Sequence, residues 1–381
     1  MNKTTRHSLV AITVALLLAP LAAIHAAERA NPSPEQLERY LRRFPDADLD
    51  KDGKLTLEEA RSYLRRRKSG ESPAPTANGR APSATARPSK QSKRDGDSRN
   101  PDFAEVSYGP HERNTLDLWR AKTDRPTPVL VFFHGGSFKA GDKSNVLTRP
   151  ILEECLKVGI SFVSANYRFS SDAPFPAPMH DGARVVQFVR FKAKQWNIDP
   201  ARIAVSGTSA GATLALWIAL HNDLADASSK DPVSRLSTRV TCASPHSGTA
   251  GLEPAYFQKQ AGVSKLGAAL CQLFGAASQA ELEAPEKSAL VREASPLLHA
   301  TPDDPPLFLT YAGDPSEAPF TSESAQKAWI HHVCLGLPLK ARYDELGIEC
   351  EFHYASKPPA ADAEIAFLKK HLLKEIKTTT P

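Results

Sequence analysis

From about residue 101 onward, short runs of β-branched and aromatic residues alternate with longer stretches whose apolar positions recur at helical spacing. Pro128-Val129-Leu130-Val131-Phe132-Phe133 is apolar throughout, as a strand buried on both faces has to be. Strands are expected near 103–108, 115–120, 128–133, 160–166, 202–206, 239–243, 306–311 and 348–354. Helices are expected near 144–158, 180–195, 210–222, 338–346 and 361–375. Short strands separated by helical runs build a mainly parallel sheet covered on both faces, an α/β fold. The stretch 249–300, ahead of the strand at 306–311, is mostly helical in pattern and carries Tyr256, Phe257, Leu270 and Phe274. Two roles stand open for it: a cover that shapes a pocket at the end of the sheet, or ordinary surface helix.

Before residue 101 the pattern changes three times. Lys3 and Arg6 precede an apolar run from Leu9 to Leu18 and a small-residue region from Ala22 to Ala27, the layout of an export signal over 1–27. This implies a periplasmic or secreted protein. Ser33 to Phe44 has helical spacing with Leu37, Tyr40, Leu41 and Phe44 on one face. Asp48-Leu49-Asp50-Lys51-Asp52-Gly53-Lys54-Leu55-Thr56-Leu57-Glu58-Glu59 follows and matches an EF-hand loop. Asp48, Asp50 and Asp52 hold positions one, three and five, Gly53 makes the turn, and Glu59 stands at twelve. Lys54 offers its backbone carbonyl, and Thr56 binds directly or through water. Clustered carboxylates repel one another unless a hard cation sits among them, so Ca2+ is the expected ligand of a module over 33–67. A single such loop points to weak affinity and a structural role. From 68 to 100 the chain is Pro, Ala, Ser, Gly and basic residues without hydrophobic period, a flexible linker to the main domain at 101–377.

Composition narrows the function classes. Hydrophobic residues make up 41% of the chain and the mean hydropathy is −0.36, which describes a soluble protein. The net charge of +5 is modest, and much of the basic excess lies early, in Arg42-Arg43, Arg65-Arg66-Arg67-Lys68 and the linker. Ordinary solvation is the first reading of that region, with association to anionic envelope polymers, lipid surfaces or polysaccharide as the alternative, and no zinc-finger spacing or aromatic-basic pattern points to nucleic acid. Five widely spaced cysteines offer no disulfide framework and read as buried small apolar residues.

Two motifs carry chemistry. Gly207-Thr208-Ser209-Ala210-Gly211 is a G-x-S-x-G between the β-branched Ile203-Ala204-Val205 and the apolar Ala212 to Trp217. Strand, sharp turn and helix in that order present the Ser209 hydroxyl at the end of a sheet, above a helix N-terminus. Upstream, His134-Gly135-Gly136-Ser137-Phe138 follows directly on the apolar strand, and its glycines let backbone N–H groups face a substrate oxygen.

Together with Tyr167-Arg168-Phe169, these motifs resemble the α/β-hydrolase esterases, in the branch with hormone-sensitive-lipase-like and acetyl or feruloyl esterases. The resemblance spans roughly 101–375. It implies Ser209 as nucleophile and an oxyanion hole formed by the N–H groups of Gly135, Gly136 and Ala210. It also implies an acid after the strand Leu307 to Tyr311, where Asp314 is the candidate and Glu317 the reserve. The histidine belongs in the loop after the last strand, yet 355–362 contains none. His332 is taken as the base in preference to its neighbour His331, with His353 as a further candidate. The expected activity is hydrolysis of small carboxylic esters, acetyl or aromatic-acyl groups on a carbohydrate among them, with no cofactor in the catalytic step. Its rival is a hydrolase-fold binding protein that has lost its base, and a calcium-dependent adhesive protein stands behind both.

Overall fold

The computed structural model describes residues 41, 47–48, 53–56, 59, 100–320 and 329–373. The export signal, most of the helix expected over 33–44, Asp50, Asp52 and the linker up to residue 99 lie outside these residues. The chain divides after Gln91 into two units.

In the larger unit, eight strands form one sheet: β1 (Phe103–Ser107), β2 (Thr115–Trp119), β3 (Thr127–Phe133), β4 (Ser161–Ala165), β5 (Ile198–Thr208), β6 (Cys242–His246), β7 (Leu307–Thr310) and β8 (Cys350–His353). Their order is β1-β2-β4-β3-β5-β6-β7-β8. β1 and β2 pair antiparallel, and from β4 onward every pairing is parallel. Residues of β3 alternate between two cores: Val129, Val131 and Phe133 enter one, Leu130 and Phe132 the other. Helices α2 (Ala177–Trp196) and α3 (Ala210–Leu220) cover the first face. The second is covered by α1 (Pro150–Lys157) and α9 (Ala363–Leu372). All residues of α3 are buried, which explains why it is apolar all round rather than amphipathic.

Expected and observed elements differ in two informative places. The helix expected over 144–158 is split into a 3-10 turn, Lys143–Thr148, and α1, because Pro150 keeps Arg149 in an extended conformation. β6 runs three residues past its expected end, since pairing with β5 through Thr208↔His246 holds the turn-like Ser244-Pro245-His246 in the sheet. The stretch 249–300 forms α4 (Pro254–Ala261), α5 (Ala268–Leu273), α6 (Gln279–Leu282) and α7 (Pro285–Glu293). α8 (Leu337–Leu346) precedes β8. All five cysteines are free thiols, four of them buried. Among the described residues no helix is long and apolar enough to cross a membrane.

Candidate active site

Ser209 sits where β5 ends and α3 begins, at φ 54° and ψ −117°, a conformation that side chains other than glycine rarely adopt. The neighbouring glycines permit it. A Cβ on Gly207 would lie 2.7 Å from the Phe133 carbonyl, and one on Gly211 only 2.2 Å from it. The Ser209 N–H is held by the His246 carbonyl at 3.0 Å, fixing the turn against the end of β6.

The His134 loop crosses beside it. A Cβ on Gly135 would stand 3.0 Å from the Thr208 carbonyl oxygen and 3.4 Å from the Ser209 Cβ, so the loop backbone runs close beside the serine turn. Gly136 has φ 123° and its carbonyl accepts from Lys139 and Ala140, closing a tight turn. Among the described residues the N–H groups of Gly135 and Gly136 donate to no protein acceptor, and Ala210 opens α3, where the N–H has no intrahelical partner. Three backbone donors thus belong to residues gathered at Ser209.

The loop is braced from behind. His134 Nδ1 donates to the Gly135 carbonyl at 2.7 Å, while its Nε2 accepts from Arg113 Nη2 at 3.2 Å. Burial, reinforced by the Arg113 charge, lowers the His134 pKa to about 4, so the ring is neutral and keeps these two roles near neutral pH. Its face stacks on Tyr167, whose hydroxyl donates to the His134 carbonyl at 2.7 Å. Arg113 also donates to the Tyr167 and Gly141 carbonyls and lies 3.6 Å over the Phe169 ring. His134 is therefore a loop-orienting residue, and Arg113 is a participant that sequence reasoning missed. Its signal is weak because it comes from the β1–β2 connection, outside both motifs.

The imidazole at the serine is His331: its Nε2 stands 3.0 Å from Ser209 Oγ. The expectation of His332 is corrected here. The Ala312 N–H donates to the His331 carbonyl and the Val333 N–H to the Ala312 carbonyl, laying this segment alongside the end of β7 as a one-residue bridge. His331 ends the 3-10 turn Trp329–His331, whereas His332, extended at φ −76° and ψ 148°, caps the next turn, Val333–Leu335, so the two side chains leave the bridge in different directions. His331 turns to the serine. His332 turns inward, 1% exposed, with Nδ1 accepting from the Cys334 N–H and its ring edge-on to Phe320. His331 itself is exposed, and partial desolvation of its ring at the serine lowers its pKa from the ordinary value, which favours the neutral imidazole that can accept a proton.

Asp314 does not reach this imidazole. It caps the turn Pro315–Glu317 in a reciprocal capping box with Glu317, and its Oδ1 accepts from the backbone and hydroxyl of Ser356. The reserve Glu317 lies 3.4 Å from His332 Nε2, without the alignment of a hydrogen bond. His353 is on β8, its ring against Phe308, both nitrogens buried without a hydrogen-bond partner and Nε2 3.7 Å from the Glu351 carboxylate. Among the described residues no carboxylate bonds His331, so the geometry is a serine–histidine pair.

An apolar cavity of about 170 Å³ opens beside Ser209, walled by Leu252, Phe257, Leu270 and Leu273 from the 249–300 stretch and by Trp329 and Leu335. Of the two roles open for that stretch, it has the pocket-forming one.

The chain matches the BD-FAE family over residues 116–324, more than half of its length. It belongs to the BD-FAE family. This BD-FAE chain is 32% identical over 149 residues to the esterase LipQ of Mycobacterium tuberculosis, covering 38% of the chain and 35% of LipQ. It is 27% identical over 222 residues to the probable carboxylic ester hydrolase LipM of the same organism, covering 56% and 48%. The chain thus spans about a third to a half of these curated relatives. Among solved structures it resembles the truncated form of a carbohydrate esterase from gut microbiota, with TM-score 0.58, 19% identity and 71% and 95% of the two chains covered. It also resembles the acetyl ester-xyloside bifunctional hydrolase of Caldicellulosiruptor lactoaceticus, with TM-score 0.51, 23% identity and 71% and 83% covered. Its sheet order and helix placement are those of an α/β-hydrolase.

In the smaller unit the Gly53 N–H donates to Asp48 Oδ2 at 2.9 Å, and Gly53 has φ 78°, a turn suited to glycine. The other oxygen, Asp48 Oδ1, is buried without a hydrogen-bond partner. Glu59 Oε2 accepts from the Thr56 N–H and hydroxyl at 2.9 and 2.6 Å. A buried carboxylate oxygen lacking a protein donor fits a cation ligand. The backbone of Lys54 is in place between them, whereas Asp50 and Asp52 lie outside the described residues.

Proposed function

We propose that this chain is a serine carboxylic ester hydrolase acting on small acyl esters, and the observation that carries it is Ser209 Oγ at 3.0 Å from His331 Nε2. His331, exposed at the surface but partly desolvated at the serine so that its pKa is lowered, takes the hydroxyl proton as Ser209 attacks the acyl carbonyl. The carbonyl oxygen gains the negative charge and is met by the N–H groups of Gly135, Gly136 and Ala210. His331 then returns the proton to the departing alcohol oxygen as the bond to it breaks. Water repeats the cycle on the acyl-enzyme: His331 takes its proton, the carboxylic acid leaves, and Ser209 regains its hydrogen. The binding-protein reading rested on the empty 355–362 loop, and an imidazole reaching the serine from elsewhere removes its support.

The pocket supports a small acyl group. An apolar cavity of roughly 150 Å³ takes a benzene ring, and this one is about 170 Å³ with apolar walls. Acetyl or aromatic-acyl groups fit that size. A carbohydrate as the alcohol half is supported by two of the structurally similar proteins, a carbohydrate esterase and an acetyl ester-xyloside bifunctional hydrolase. The test compares nitrophenyl acetate with the nitrophenyl ester of an eight-carbon acid and with acetylated xylan, using the wild type and Ser209→Ala. Serine-dependent turnover with preference for the short acyl group is expected. Equal background from both proteins on all substrates would overturn the proposal.

Two further parts belong to this reading. The loop Asp48 to Glu59 binds Ca2+, supported by the unpartnered Asp48 Oδ1. Calorimetric titration of the full chain should show calcium uptake, with Glu59→Gln weakening it by at least about tenfold through loss of a ligand charge. Identical titrations of the two proteins would refute it. The mature protein is exported, as residues 1–27 suggest, and its basic early region meets anionic envelope polymer or polysaccharide. A mature N-terminus near Ala27 in exported material is the expected result, and an intact Met1 terminus in a cytoplasmic fraction the refuting one.

A further inference from the structure

The far end of the serine helix carries a group of side chains that ester hydrolysis does not use. His221 closes α3 at its C-terminus, Glu293 ends α7, and His299 ends the 3-10 turn Pro296–His299. Each presents one donor atom such that all three lie within 4.8 Å of one another. With 11 residues in α3, the cluster lies roughly 16 Å along the helix from Ser209 at 1.5 Å per residue.

The hydrogen bonds of the two imidazoles are the informative part. His221 Nδ1 stands 2.8 Å from the Asn222 carbonyl, an acceptor only, so that nitrogen carries the proton. Its Nε2 faces Glu293 Oε1 at 2.8 Å. A neutral ring would aim the Nε2 lone pair at a carboxylate, and a cation there relieves the repulsion, whether a proton, giving a His221–Glu293 ion pair, or a metal ion. His299 repeats the pattern: its Nε2 stands 2.7 Å from the Glu293 carbonyl and must donate, which leaves Nδ1 with the lone pair. An imidazole whose one N–H is tied to a carbonyl, which fixes the tautomer and directs the other nitrogen to a ligand, is the arrangement of metal-ligating histidines. The frame around them is firm. Trp217 packs its ring 4.2 Å from that of His221 and donates through Nε1 to the same Glu293 carbonyl at 3.0 Å.

We propose that His221, Glu293 and His299 form a binding site for a zinc-class divalent metal ion, two imidazoles and one carboxylate with water completing the shell. Zinc holds such ligands at about 2.0–2.1 Å in a tetrahedron, hence roughly 3.3 Å apart. Closing from 4.8 Å needs side-chain movements of about 1 Å, within reach of the exposed Glu293 arm. The site joins the helix that carries Ser209 to the end of the 249–300 stretch whose other helices wall the acyl pocket. The ion would thus staple the pocket wall to the core and take no part in the chemical step.

The test uses the untagged full chain, stripped of metal by chelation and then held in excess calcium so that the Asp48 loop is filled. Zinc is titrated calorimetrically, cobalt is followed by its visible absorption, and Tm is read with and without zinc. One zinc per chain is expected, with tetrahedral cobalt bands and a Tm rise of about 5 °C once zinc exceeds Kd roughly a hundredfold. His221→Gln and His299→Gln should each weaken zinc at least about tenfold. Glu293→Gln, a change at an exposed residue that keeps its shape, should weaken it without lowering the metal-free Tm, which guards against misfolding as the cause. Absence of zinc binding, or binding unchanged in all three variants, would overturn the site and leave a His221–Glu293 ion pair.

Discussion

Replacing each of the two adjacent histidines separately discriminates most sharply between the readings of this site. In His331→Ala the serine loses the only imidazole bonded to it among the described residues. A positioned general base contributes about 10²–10⁴ in rate, and loss of a nucleophile's base in related chemistry costs more. A fall in kcat of at least about 10³ is expected, which is about 4 kcal/mol of transition-state stabilisation at 1.36 kcal/mol per tenfold. KM should move little, since the imidazole does not wall the acyl pocket. Because serine and base act as a unit, Ser209→Ala with His331→Ala together should be no slower than the worse single variant. His332→Ala answers a different question. That ring is 1% exposed, caps the Cys334 N–H and abuts Phe320. Its removal leaves a cavity and an unpaired amide, costing about 2–4 kcal/mol of stability, with kcat of the folded fraction within a few-fold of wild type. The assay is nitrophenyl acetate turnover, normalised to folded protein by circular dichroism and run beside thermal unfolding. A folded His332→Ala protein without turnover, beside an active His331→Ala protein, would refute the assignment and restore the base expected from sequence.

Three other outcomes follow from the same geometry. Gly136→Ala puts a Cβ at 2.0 Å from the Ala140 carbonyl oxygen in a residue at φ 123°; kcat should fall about 10²–10³ as one oxyanion donor is displaced, and unchanged kcat would show that the loop does not hold the oxyanion. Arg113→Met removes the guanidinium that bonds His134 and Gly141 and lies on Phe169; slight misplacement of the loop should cost about tenfold to a hundredfold in kcat, with KM nearly constant, and an unaltered kcat would make Arg113 a packing residue only. The pH dependence of kcat/KM has a worked sign. His331 must be neutral to accept a proton, and partial desolvation lowers its pKa. Activity should therefore rise along an acid limb lying below the ordinary imidazole value of about 6.5, and a limb above that value would refute a partly desolvated base without a carboxylate partner.

Much of the chain was legible without its structure because the information is local. Strand and helix positions follow from apolar periodicity, and the Ser209 turn from glycines at 207 and 211, whose Cβ atoms would strike the Phe133 carbonyl. The braced loop beside Ser209 was also written in a contiguous motif, His134 to Phe138. Which histidine serves the serine was not local. His331 and His332 are adjacent and chemically identical, and the choice rests on which side of a bridge to Ala312 each falls. Asp314 occupies the expected place in the chain order, yet its carboxylate is taken by the turn it caps and by Ser356, a residue supplied after β8. The pocket wall from 249–300 and the His221–Glu293–His299 cluster likewise join residues far apart in sequence. Periodicity and turn chemistry are properties of neighbours along the chain, so the sequence by itself determined the α/β architecture, the serine turn and the glycine loop beside it. Side-chain direction at a bridge and convergence of distant loops are set by packing, so only the tertiary structure decided which histidine stands at Ser209, the fate of Asp314 and the shape of the pocket.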